Sequence, residues 1–117
     1  MALILAGFLG AFICLTGAWF IASPFHAVQA FGIDPSHLAD IALAPGLGVR
    51  NLALGLIILV FAMARNTRAL GTVLLLGSIV PLGDFAIAGK AVGYAVAARH
   101  LITLPFSLVL GLVLVRR

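Results

Sequence analysis

The stretch GLGVRNLALGLIILVFAMA, running from Gly46 to Ala64, decides the fold class. Apart from Arg50 and Asn51 it is apolar or small throughout. Its length matches the about 20 residues a helix needs to cross the hydrocarbon core of a bilayer. Three more runs read the same way: Ala2 to Ala22 before it, then Ala69 to Gly89 and Gly93 to Val115 after it. Hydrophobic residues make up 64% of the 117 and charged residues only 9%, whereas soluble domains carry about 25% charged residues. So few polar side chains cannot cover a water-facing surface, and lipid is the expected solvent. The expectation is one all-α domain, an integral membrane four-helix bundle with a structured outer loop, 23–45, between helices 1 and 2. The N-terminal run lacks the Lys or Arg of a signal peptide and exceeds the usual apolar length of roughly 7–15 residues, so it reads as a retained first span.

Seven Lys and Arg face three Asp, a net charge of +4. These cations are scattered and mostly flank apolar runs, which fits membrane edges and speaks against nucleic acid as a partner. Arg65 and Arg68 sit in the short link between the second and third runs. With four spans, Arg116 and Arg117 fall on the same side. The positive-inside rule then puts both termini in the cytoplasm, most simply at a plasma (inner) membrane, with the loop outward. Cys14 is the only cysteine, so no intrachain disulfide can form.

The outer loop carries its own start and stop signals. Ser23-Pro24 reads as an N-cap followed by Pro at the first helical position, with Gly32 as a stop. Asp34-Pro35 repeats the start and Pro45 marks the next end, giving two short interfacial helices. Phe25, Val28 and Phe31 would face lipid, and His26 and Gln29 water or a pocket mouth. A capped connector without function is the competing reading.

Because lipid tails are as apolar as Leu, helices in a membrane associate through close packing of small residues. Each run carries such a stripe. In the first it is Gly7, Gly10, Ala11, Cys14, Gly17 and Ala18, opposite a lipid-facing set of Phe8, Phe12, Leu15 and Trp19. In the second it is Gly48, Asn51, Gly55 and Ala62. The third is looser, with Val73, Gly77, Pro81, Asp84 and Ala88. The fourth has Gly93, Ala97, His100, Leu104, Ser107 and Gly111. These stripes turn Asn51, Asp84 and His100 inward, while Arg50 and Arg99 lie about 100° around their helices from Asn51 and His100.

A charge near the bilayer centre costs at least about 2.5–3.5 kcal/mol, so such residues normally face the interior and find partners. Here Arg50 and Asn51, Asp84, and Arg99 and His100 come from three runs at one depth in the outward half. Pro81 and Pro105 each remove a backbone hydrogen bond beside this layer and free the carbonyls of Gly77 and Leu101. Two kinks there could open a cavity. One reading of the layer is an ion-pair network, Asp84 with Arg50 or Arg99, that binds nothing. The other is a site with Asp84 and His100 as acid–base pair, an Arg on an anionic or carbonyl oxygen, and Asn51, Trp19, His26 and Gln29 as further ligand contacts. An ion pathway needs polar groups along the whole depth, and the inner half offers only Thr72, Ser78 and Ser107, each able to bond its own helix backbone. His26, Asp34, His37 and Asp40 match no recognised metal-site spacing. No cofactor is implied, and no phosphate loop or nucleophile elbow is present.

At Gly48-Val49-Arg50-Asn51-Leu52-Ala53-Leu54-Gly55 the chain resembles the domain-of-unknown-function 4267 family, small four-span membrane proteins broadly similar to DoxX-like ones. That family's pattern has Ser-Pro then Phe-Gly after the first span, and Gly-x-Arg-Asp-x-x-x-Gly opening the second. An Asp lies late in the third span and His-Leu in the fourth. These correspond to Ser23-Pro24, Phe31-Gly32, Gly48 to Gly55, Asp84, and His100-Leu101. The departure is Asn51, where the resemblance implies an acid; if that acid is catalytic in relatives, this chain lacks it or relies on Asp84 alone. The resemblance implies the four-span fold and little about function.

Three functions are open on this reading. The first is a membrane-embedded binding or acid–base module for a lipophilic small molecule, with cofactor-free isomerisation, cyclisation or epoxide opening as its chemistry. The second is a small homodimeric transporter. The third is a structural or accessory subunit whose polar layer fixes helix register. Membrane lipids are the constant partner in all three.

Overall fold

The computed structural model describes residues 1–31, 38–93, 95 and 98–117; the side chains of Phe31, 38–43, Ala88, Ala91, Val92, Arg99 and His100 are outside that description. The described residues are helical, with short turns between. In chain order they form α1 (Ala2–Ala22), α2 (Pro24–Phe31), α3 (Leu38–Met63), α4 (Thr67–Gly77), α5 (Ile79–Val92), a 3₁₀ turn (Ala98–Leu101) and α6 (Thr103–Val115). Three stretches are long and apolar enough to cross a membrane: Ala2–Ala22, Ala44–Met63 and Thr67–Ile87. Thr103–Val115 is a shorter apolar helix.

Glycines set the helix pairing. α1 and α3 run antiparallel so close that a Cβ on Gly17 would lie 2.6 Å from the Gly48 carbonyl oxygen, and one on Gly55 2.7 Å from the Gly10 carbonyl oxygen. α4 and α6 approach similarly at one end, where a Cβ on Gly71 would lie 2.6 Å from the Val115 backbone nitrogen. Around that contact Leu70, Leu74, Leu110 and Leu114 join Ala2, Ala6 and Ile58 in the main buried cluster. Of the small stripe expected on α1, Gly10, Cys14 and Gly17 make the contact with α3, whereas Gly7 faces open space. Gly71 was outside the stripe expected for the third run.

The Gly71–Val115 contact sets Arg68 beside the C-terminus, and Leu3 shares a shallow groove with Met63 and Arg65. Both chain ends and the arginines Arg65, Arg68, Arg116 and Arg117 therefore gather at one end of the molecule. The link between α3 and α4 is tight. Arg65 takes a positive φ of 56°, and the Asn66 and Arg65 amides donate to the carbonyls of Phe61 and Ala62, a Schellman cap. Asn66 then caps α4, its side-chain oxygen accepting from the Ala69 amide at 3.1 Å.

Two expected boundaries need correction. Pro45, expected to end a short interfacial helix, lies inside α3, which begins at Leu38; the expected span of roughly Gly46 to Ala64 agrees with the apolar stretch Ala44–Met63. The Leu- and Ala-rich segment 38–44 favours helix strongly, and one proline frees only one carbonyl. The loop between the first two long helices is thus α2 and the segment 32–37, the latter, with Asp34, Pro35 and His37, outside the described residues. The fourth run is not one helix over 93–115. Its described residues include a 3₁₀ turn, then Ile102, then α6.

The third run breaks in the same manner, at Ser78. Pro81 and Pro105 each occupy the third position of the helix after the break, where the missing N–H has no intrahelical partner to lose. The preceding elements end at Gly77 and Leu101, the residues whose carbonyls the two prolines free. Ser78 itself folds back, its hydroxyl donating to the Leu74 carbonyl at 2.9 Å.

Candidate functional site

Beside the two breaks a cavity of about 490 Å³ lies between the α1–α3 pair and the third and fourth runs. Its inner wall is Leu9, Ile58, Val73 and Leu74. Gly77, Val80 and Pro81 form the side belonging to the broken third run, and Ala27 and Ala30 of α2 also line it. Of the looser stripe expected on the third run, Val73, Gly77, Pro81 and Asp84 line this space, and the side chain of Ala88 lies outside the described residues. The α6-facing side of α4 is a different one, carrying Gly71 against Gly111 and Val115. The third run thus divides its surface between packing and cavity.

The polar end is built from α3 and α5. Arg50 reaches across to Asp84 with two parallel bonds, Nη1 to Oδ1 at 3.3 Å and Nη2 to Oδ2 at 3.2 Å. This fork-to-fork geometry is the one a guanidinium and a carboxylate match best. Arg50 also turns back along its own helix, Nε and Nη2 both donating to the Asn51 Oδ1 at 3.3 Å. Arg50 is 38% exposed and Asp84 13%, so the carboxylate sits deeper than the cation that neutralises it. Asn51 and Asp84 line the cavity; Arg50 stands behind them.

The other expected site residues are distributed as follows. Trp19 lines the cavity and is also 44% exposed on the outer surface. His26 and Gln29 are exposed and do not line the cavity, because α2 turns Ala27 and Val28 inward against Phe20 and Ala44. Val28, expected toward lipid, is only 1% exposed. His26 is held at the loop surface by Ser23, with Oγ and Nδ1 2.9 Å apart, and stacks edge-on with Phe25. Arg99 and His100 lie on the 3₁₀ turn, which packs against α5, the helix of Asp84; their side chains are outside the described residues, as are those of Asp34, His37 and Asp40. Among the described residues no three His, Cys, Asp or Glu cluster as metal ligands.

The sequence reading did not single out Thr16, Ile102, Thr103 or Phe106, all on the cavity wall. Thr16 is satisfied within its helix, its hydroxyl donating to the Ile13 carbonyl at 2.8 Å. Phe12 and Trp19 on α1, and Ile102 just before α6 with Phe106 on it, all line the cavity and stand exposed on the outer surface. The cavity therefore opens sideways between α1 and α6. A signal for this existed in the aromatic residues spaced along one face of α1, which lipid exposure alone also explains.

No curated protein and no solved structure matches the chain. A family model described as a domain of unknown function, DUF4267, matches residues 10–114, from α1 to the last turn of α6. With the Gly48-to-Gly55 segment and Asp84 both inside that match, the chain belongs to the DUF4267 family.

Proposed function

We propose that this chain is an integral membrane four-helix bundle that binds a lipophilic small molecule in the cavity between its helix pairs. The observation that carries the reading is the cavity's make-up: an apolar body, a polar end at Asn51 and Asp84, and a side opening flanked by Phe12, Trp19, Ile102 and Phe106. Its volume of about 490 Å³ lies in the roughly 300–1,000 Å³ range of sites for drug-sized ligands. A side opening walled by exposed aromatic and aliphatic residues favours entry from the acyl-chain region rather than from water. The arginines gathered at the opposite end support an orientation with both termini cytoplasmic and the polar end of the cavity in the outer half of the bilayer.

The apolar inner wall weighs against an ion or proton pathway. The Arg50–Asp84 pair supports a positioning role for the arginine, and to that extent the register-fixing reading is part of this one. Asp84 is the carboxylate on the cavity wall. Acid–base chemistry of the isomerase, cyclase or epoxide-opening type would centre on it.

Mass spectrometry of organic extracts from purified protein tests the proposal. Gly77 lines the cavity, and a Cβ there would meet only Leu54 Cδ1, at 3.8 Å, so Gly77→Phe fills the space without a backbone clash. Wild type is expected to carry a specific lipophile in near-stoichiometric amount, and Gly77→Phe to lose it while keeping its gel-filtration profile. Identical extracts from the two proteins would refute the proposal.

A further inference from the structure

The polar end of the cavity has a definite hydrogen-bonding polarity. A guanidinium can only donate, so the Asn51 atom facing Arg50 must be the amide oxygen. That fixes the side-chain flip and leaves the amide NH₂ without an acceptor among the described residues. Arg50 gives four of its donors to Asn51 and Asp84, out of the five a guanidinium carries. Its charge is already matched by Asp84, and it does not reach the cavity wall. Asp84 can only accept when ionised, and each carboxylate oxygen keeps a lone pair beyond its bond to Arg50. Arg50 Nη2 touches both the Asn51 oxygen and Asp84 Oδ2, so the free donor and the free acceptor sit at one level.

From this arrangement, and resting on the binding reading above, we infer that the site selects an uncharged lipophile with a hydroxyl head group, a long-chain or polycyclic alcohol. The hydroxyl oxygen accepts from the Asn51 amide and its proton is donated to Asp84. A single O–H thereby uses both open positions. A carboxylate or phosphate head would meet Asp84 with like charge and no free cation among the described wall residues, at low dielectric where that repulsion is strongest. An ammonium head would add a second cation to a carboxylate already paired. The same logic removes Arg50 from the anion-binding role that its position in the sequence invites.

Trp19 is the only tryptophan and lines the cavity, which makes its fluorescence a direct reporter. The test uses the full chain in nanodiscs at pH 8 with four dibrominated eighteen-carbon probes: alcohol, carboxylate, amine and plain hydrocarbon. Gly77→Phe gives the background quenching from lipid-facing collisions. The expected result is saturable quenching by the alcohol, with the carboxylate and amine at least about tenfold weaker. Asn51→Leu should weaken the alcohol by about three- to tenfold, the worth of one hydrogen bond, and leave the hydrocarbon unchanged. The head-group comparison on wild type needs no variant, so a misfolded Asn51→Leu does not blunt it. Carboxylate binding as tight as alcohol, or an Asn51→Leu protein that binds alcohol as wild type does, would overturn the head-group assignment while leaving the cavity as a lipophile site. Absence of saturable quenching by every probe, hydrocarbon included, would overturn both.

Discussion

The α1–α3 pair and the α4–α6 pair are joined by the same device used to different extents. Between α1 and α3 the close approach recurs at Gly10 with Gly55 and again at Gly17 with Gly48, so two unbroken helices stay in contact over several turns. Between α4 and α6 it occurs once, at Gly71 with Gly111, near the arginine-rich end. Beyond that point both partners break, at Ser78 and at Ile102, while the 3₁₀ turn still packs against α5. The cavity lies beside these two breaks. In a solvent of acyl chains, where hydrophobicity does not pull helices together, small residues decide where backbones touch.

Glycine substitutions should show the largest effect in this comparison. Gly17→Val puts a side chain against the Gly48 carbonyl and the Leu52 backbone nitrogen, each 2.6 Å from its Cβ. Backbone on a packed helix cannot yield as a side-chain tip can. The expected loss is about 3 kcal/mol or more, at or beyond the upper end of overpacking costs, read as a lowered thermal midpoint in detergent. Gly7→Leu and Gly83→Leu meet nothing within 4 Å and should stay within about 0.5 kcal/mol of wild type. Equal losses at all three positions would break the account of how the pairs are held.

The next effect belongs to the polar end, where α3 and α5 are tied across the cavity. Removing one partner of a fully buried pair costs about 3–5 kcal/mol. Arg50 is 38% exposed, so Asp84→Asn should cost less, about 2 kcal/mol, by the same midpoint measurement. The smallest effect is at the α3–α4 link. Arg65 holds a positive φ of 56°, a conformation that disfavours every residue with a Cβ. Arg65→Gly should raise stability by less than about 1 kcal/mol; a marked loss would mean the arginine side chain, not the backbone cap, holds that link.

Much of this organisation could be read from the residues. Gly48 and Gly55 share a face with Asn51 at helical spacing, and the prolines point to the carbonyls at which the third and fourth runs break. Gly71 escaped because the small residues of the third run lie on two faces. The polar one, through Asp84, carries the longer small-residue spacing, and the packing one shows only Gly71. The start of α3 escaped because Pro45-Gly46 carries a strong local stop signal. Helix propensity over 38–44 outweighs a single lost hydrogen bond. The cavity is the least legible feature. It depends on how α1 and α6, which touch near the arginine-rich end, are placed beyond that contact, a relation between elements far apart in the chain. The pairing of Arg50 was open for a related reason: its position about 100° from Asn51 suits either an inward or an outward side chain, and the partner on α5 settles the choice.

The account rests on Arg50 and Asp84 meeting at the head of the cavity, and a double-mutant cycle measures that directly. Arg50→Met, Asp84→Leu and the pair together should be compared by equilibrium unfolding in one detergent. The double variant is predicted to be more stable than the sum of the two single losses implies, by at least about 1 kcal/mol, the range of residues in one network. Losses that add within about 0.5 kcal/mol, as they do for sites that do not touch, would contradict it.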